Sequence, residues 1–120
     1  MTVLHDAELV VINAIEALNL CDAYREVPTD TPSTPFATVT LDGSGVVKPT
    51  VSEQSLTVYF YADTWKAART LGLTADKLLI QQLLTDPLCY GASIASTCRS
   101  DDPDTNQPRC ALTLDLTLCG

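Results

Sequence analysis

Histidine occurs once in the chain, at position 5, so any Ser–His or Cys–His pair would have to use it. Nucleophile–base catalysis needs both groups held within hydrogen-bond reach. His5 stands in an N-terminal segment with nothing around it to fix an imidazole. Asp101, Asp102 and Asp104 crowd one stretch, and hard divalent cations favour several oxygens. The spacing of a calcium loop and its closing glutamate are absent, so a solvated turn is expected there. Gly43 and Gly45 form a GxG with no third glycine and no helix opening after it, which suits turn residues better than a phosphate cradle. The five cysteines are odd in number and contain no CxxC, which supports neither a zinc site nor a secreted disulfide framework. No catalytic residue, metal-ligating set or cofactor site is therefore expected. Binding or assembly, not enzymatic activity, is the leading class.

Bulk properties narrow that class. At 120 residues the chain predicts one domain, residues 1–120, large enough for a core without metal or disulfide support. Hydrophobic residues make up 46% and charged residues 18%, a globular balance. Net charge is −8, and the seven Lys and Arg are scattered, so no run of cations could track a row of phosphates. No nucleic-acid partner is expected. Nor is a membrane partner: no apolar run approaches the roughly 20 residues of a span. Asp6 and Glu8 occupy the place of a cationic leader segment, so a signal peptide is not expected and the cytoplasm is the expected site of synthesis.

Any function must be positioned by a small set of elements. Residues 6–20 read as a helix, with Val11, Ile15 and Leu18 on one stripe that Leu4, just before it, continues. Residues 23–27 suit a short strand. Three prolines within residues 28–35 enforce a loop. Residues 36–41 alternate as a strand, and residues 42–53, with Gly43, Gly45 and Pro49, suggest a second long loop. Residues 55–62 form a strong strand, with Leu56, Val58 and Phe60 opposite Thr57, Tyr59 and Tyr61. Asp63 or Thr64 can cap a helix running to Leu84 along Trp65, Ala68, Gly72, Ala75, Leu79 and Leu83. Two strands close the chain, residues 88–98 and 110–119, around the polar loop RSDDPDTNQPR. The expected fold is α+β: a single mostly antiparallel sheet with two helices packed on one face, in the order α-β-β-β-α-β-β.

Contact surface is expected where aromatics or long loops stand free. The candidates are Tyr59 and Tyr61 on the non-core face, which either contact another protein or are covered by a second subunit element or a long loop of the same chain, Asp42 and Lys48 in the loop of residues 42–53, and Thr31 in the loop of residues 28–35. The final hairpin also admits a register argument. Residues opposite one another in an antiparallel pair have a constant index sum, and Cys98 with Cys110 gives 208, as does Cys89 with Cys119. That register predicts Cys98 beside Cys110 on the core face and Cys89 beside Cys119 on the outer face, at separations a disulfide tolerates. Cys21 is left over. Reduced thiols are expected in the cell.

The order of segments resembles a known family. A short strand ends in EVPTDTP and is followed by PFATVTL. The strand SLTVYFYAD then leads into a helix beginning TWKAA, and the loop DDPDTNQPR precedes CALTLDLTL. This layout, over nearly the whole chain, is similar to the tail-terminator (tail-completion) proteins of long-tailed bacteriophages. The resemblance implies a non-enzymatic virion protein of the tail and neck, assembled in the host cytoplasm. It implies a ring, generally a hexamer, that caps the tail tube, stops its polymerisation and joins the head. The partners would be further copies of itself, the major tail (tube) protein and a head-completion or connector protein. Six copies at −8 each carry −48, which suits a ring through which DNA slides. Two other readings fit the same composition: another phage neck or head-completion protein, and a small-molecule-binding α/β regulatory domain.

Overall fold

The computed structural model describes residues 7–29, 33–48, 51–87 and 89–119, with residues 44–48 described by backbone alone. The order is α1 (Ala7–Ala17), β1 (Asp22–Tyr24), β2 (Phe36–Lys48), β3 (Val51–Tyr61), α2 (Trp65–Leu83), β4 (Cys89–Arg99) and β5 (Arg109–Cys119). The strands form one sheet in the order β1-β2-β3-β5-β4. β1 runs parallel to β2, and every other pairing is antiparallel. The fold class and element order read from the sequence are therefore those of the molecule, with one parallel edge strand.

Both helices cover one face. α1 lies over β1 and β2, and α2 over β3, β5 and β4. The core beneath them is the apolar set of each strand: Val39, Leu56, Val58, Phe60 and the leucines 112, 114, 116 and 118, all 1% exposed or less. α1 ends earlier than its apolar stripe suggests. Asn19 takes a left-handed φ of 54°. The Leu20 N–H reaches the Ile15 carbonyl and the Asn19 N–H the Glu16 carbonyl. This is a Schellman stop, and Leu18 and Leu20 still pack on the core.

α2 begins at Thr64, whose Oγ1 accepts from the Ala67 N–H at 3.2 Å. Its buried residues are Ala68, Gly72, Ala75, Leu79 and Leu83, with Trp65 partly buried against them. Gly72 is required by distance rather than by backbone angle. A Cβ there would lie 2.4 Å from Cys110 Sγ and 3.2 Å from Cys110 Cβ. The helix thus rides directly on β5.

Two expectations are corrected. Residues 42–48 and 51–53 are not a loop: they belong to β2 and β3, which pair antiparallel as far as Lys48↔Val51. Gly43 follows a bulge, and the register shifts between Leu41 and Gly43. Asp42, the extra residue, accepts a hydrogen bond from the Thr57 hydroxyl. The glycine-rich strand is held because β3 is itself paired along its full length to β5, so β2 extends an existing template.

The second correction concerns the final hairpin. The constant sum holds only from Gly91↔Thr117 to Ile94↔Leu114. Bulges between Cys89 and Gly91 and between Ile94 and Ser96 shift the ends out of step. Cys98 lies opposite Ala111, Cys110 opposite Arg99, and Cys89 opposite Leu118. Cys98 is exposed rather than on the core face, and Cys89 is buried rather than on the outer face. All five thiols are free. Tyr90 is the extra residue of the first bulge and is 65% exposed.

Candidate functional site

The face of the sheet without helices is the candidate contact surface, and it has two unlike ends. At one end an aromatic cluster is built by register alone. Phe36 pairs with Tyr61, and Tyr61 with Arg109, so all three side chains rise from neighbouring strands on the same face. Phe36 stacks on Tyr61 at a centroid distance of 4.6 Å and an interplanar angle of 8°. Tyr24 meets the Phe36 edge at 6.3 Å. Phe36 is fully buried there, although no helix covers it.

Arg109 closes this cluster. Its guanidinium carbon lies 3.9 Å from the Tyr59 ring centroid and 5.6 Å from that of Tyr61. Nε donates to the Ser100 carbonyl at 2.5 Å, and Nη1 to the Tyr61 hydroxyl at 2.9 Å. A cation over two rings adds about 0.5–2 kcal/mol at such sites. Arg109 thereby ties the polar loop of residues 100–108 to the sheet.

Asp102 organises the loop from within. Its Oδ1 accepts from the Asp104 N–H at 2.8 Å and the Thr105 N–H at 3.4 Å. The Asp104 N–H, helped by the Thr105 N–H, Arg109 and Tyr61, holds the Asp102 carboxyl below its usual value. Asp101 pairs with Arg99 at 3.1 Å. The Asp101 and Asp102 carboxylates are thus committed to ion-pair and turn geometry, and Asp104 contributes its backbone N–H. Among the described residues no group of three or more His, Cys, Asp or Glu is placed to hold a metal.

The other end of the face is a shallow trough of about 620 Å³, floored by small and polar side chains. Gly43, Ser55, Gly91, Ser93 and Thr117 line it, with Glu53 and Asp115 as its charges. It has room for a partner's surface and no convergent reactive groups. Three of the thiols, Cys21, Cys89 and Cys110, are similarly quiescent. Burial, with Asp22 adding to it, pushes Cys21 up to about 12. Burial also raises Cys89 and Cys110, so these thiols stay protonated near neutrality.

The sequence candidates fall unevenly on this surface. Tyr59 is half-buried beneath Arg109. Tyr61 is only 3% exposed, because its own chain covers it, and it is not the free aromatic surface expected. Asp42 is exposed on the trough side of the bulge, and Lys48 ends β2. Thr31 and His5 lie outside the described residues. Arg109 and Phe36 went unnoticed in the sequence. Their importance depends on which residues stand opposite one another, and strand alternation does not encode that register.

No known protein-family profile matches the chain, and no curated protein matches it. Among solved structures, the chain is similar to a chain from the virion of a native gene transfer agent particle. The likeness covers 95% of this chain and 87% of that chain, at 15% identity and a TM-score of 0.44.

Proposed function

We propose that the chain is a structural, non-enzymatic subunit of a phage-like particle, assembling as a ring that caps a tail tube, stops its growth and forms part of the head–tail joint. The observation that carries this reading is the pairing of layout and surface. The segment order resembling tail terminators folds into a sheet whose second face is left to aromatic, small and polar side chains, and to no reactive constellation among the described residues. Such a face suits contact with protein or a wet passage. The net charge of −8 suits a wall that does not hold DNA phosphates.

The partners on this reading are further copies of the chain, generally six in all, the tube protein and a head-completion protein. Tail tubes purified without caps and mixed with the chain should carry a ring of density at one end in electron micrographs. Bare tube ends at saturating chain would overturn the reading. A dimer whose melting temperature rises with a small metabolite would favour the regulatory-domain alternative instead.

A further inference from the structure

The sheet has two outer edges, and they are treated differently by the chain. On one side β1 covers only Phe36, Ala37 and Thr38 of β2. Where β1 stops, Glu8 takes over: its Oε2 accepts the Leu41 N–H at 3.1 Å, and its Oε1 pairs with Arg25 at 3.6 Å. Beyond Leu41, residues 42–48 have no strand neighbour on that side among the described residues.

On the other side, among the described residues, β4 is the terminal strand over its full 11 residues. Sheet edges of this length are usually blunted by lysine, proline, inward charge or bulges. β4 has no lysine or proline, its only charged residue is Arg99 at its end, and its two bulges are the only such device it carries. Its bulges leave regular stretches on either side of Ala95. The direction of its free donors follows from the ladder. The Leu41 N–H points away from β3, towards Glu8, and antiparallel pairs alternate. Carried through Leu56 and Leu114, that alternation turns the N–H groups of Ala92 and Ile94 away from β5. The bond from the Ser100 N–H to the Arg109 carbonyl agrees with it beyond the second bulge.

We infer that the outer edge of β4 is a subunit-joining edge that takes up the uncovered part of β2, residues 42–48, from a second copy as an antiparallel strand. The inference rests on the ring reading and names its joint. Three observations select this occupant. Copies of a chain at −8 repel, and β4 carries none of the fifteen carboxylates, while Asp42 is the only one in β2. Three antiparallel steps separate β2 from β4, so the two run in opposite senses, and a copy rotated about an axis along the strands meets β4 in antiparallel sense. The two stretches also lie at the same end of the sheet: Gly43 is level with Ser93, and Val46 with Cys89. Because the joined edges differ, the contact is head-to-tail, the kind that closes rings.

The test compares the unaltered full chain with Ala95→Pro and Ala95→Lys, placed at the exposed extra residue of the second bulge, which has no register partner on β5. Gln81→Lys, on the exposed side of α2, is the charge-matched control. Assembly is read by sedimentation and on tube ends by electron microscopy, folding by circular dichroism, and edge pairing by amide exchange. The expected result is folded Ala95 variants that fail to assemble and a control that assembles. In the assembled wild type, the Ala92 and Ile94 amides should exchange at least about tenfold more slowly than in the monomer. Assembly by every folded variant, with those amides unprotected, overturns the edge assignment while leaving the ring intact. Loss of assembly in Gln81→Lys as well overturns it as a mere charge effect. Protection that appears only with tube protein assigns the edge to that partner and overturns the second-copy occupant. No assembly of the unaltered chain under any condition overturns the ring reading itself.

Discussion

The two faces of the sheet are stabilised by different means. Beneath the helices, packing is apolar and continuous: β5 meets the small stripe of α2 so closely that a methyl group at Gly72 would run into Cys110. On the bare face, order is local and polar. One arginine, three tyrosines and a phenylalanine make a cluster at one end, and the other end is an open trough. The first face holds the fold together whatever the chain does. The second has side chains to spare for contact, which is where a structural subunit would be expected to keep its working surface.

Perturbing the covered face should have the largest effect. Gly72→Ala forces Cβ into Cys110 and should cost up to about 3 kcal/mol of stability, read by chemical denaturation. Adding Cys110→Ala should recover a substantial part of that loss, since it removes the sulfur that a residue-72 methyl would meet. An additive double mutant would show that the contact at 72 is not the cause. Perturbing the bare face should cost less. Arg109→Ala removes the cation above Tyr59 and Tyr61 and two hydrogen bonds, for about 1–2 kcal/mol, with faster amide exchange confined to residues 100–108. Equal acceleration over the whole sheet would make Arg109 part of the main core and erase the distinction.

A smaller effect of opposite sign is expected at Thr97. Its Oγ1 is buried with no hydrogen-bond partner, so Thr97→Val should stabilise by about 1 kcal/mol in thermal unfolding. Destabilisation would reveal a partner for that hydroxyl. The smallest effect is pH dependence at Asp102. Its folded value is depressed below the ordinary 3.8. Its contribution is therefore fully present above the unfolded value and is lost as pH falls through the lower, folded one. The stability gap between wild type and Asp102→Asn should stay level above pH 3.8 and close only below it. A gap closing near pH 5 would mean the carboxylate is not held by those N–H groups.

The covered face was readable in the sequence because periodicity reports burial directly. The α2 stripe from Ala68 to Leu83 and the alternating leucines of β5 are where spacing places them. The bare face was much less readable. Tyr59 and Tyr61 fall on it as alternation requires, but Tyr61 is buried by Phe36 and Arg109, and their meeting depends on inter-strand register. Register was also where the cysteine argument failed. Tyr90 and Ala95 are ordinary strand residues in sequence, and nothing in their type announces a bulge. The strand character of residues 42–48 and 51–53 was hidden for a related reason. Their glycines favour a loop in isolation, and only the neighbouring ladder of β3 and β5 makes them a strand.

The central claim is that this chain stops a tube from growing. Tube protein polymerised in vitro with increasing amounts of the chain, and measured by electron microscopy, tests it directly. A terminator shortens the tubes as its ratio to tube protein rises and leaves capped ends that fail to elongate when fresh tube protein is added. Tube lengths that do not change with the amount of chain, and ends that keep growing in its presence, would contradict the account.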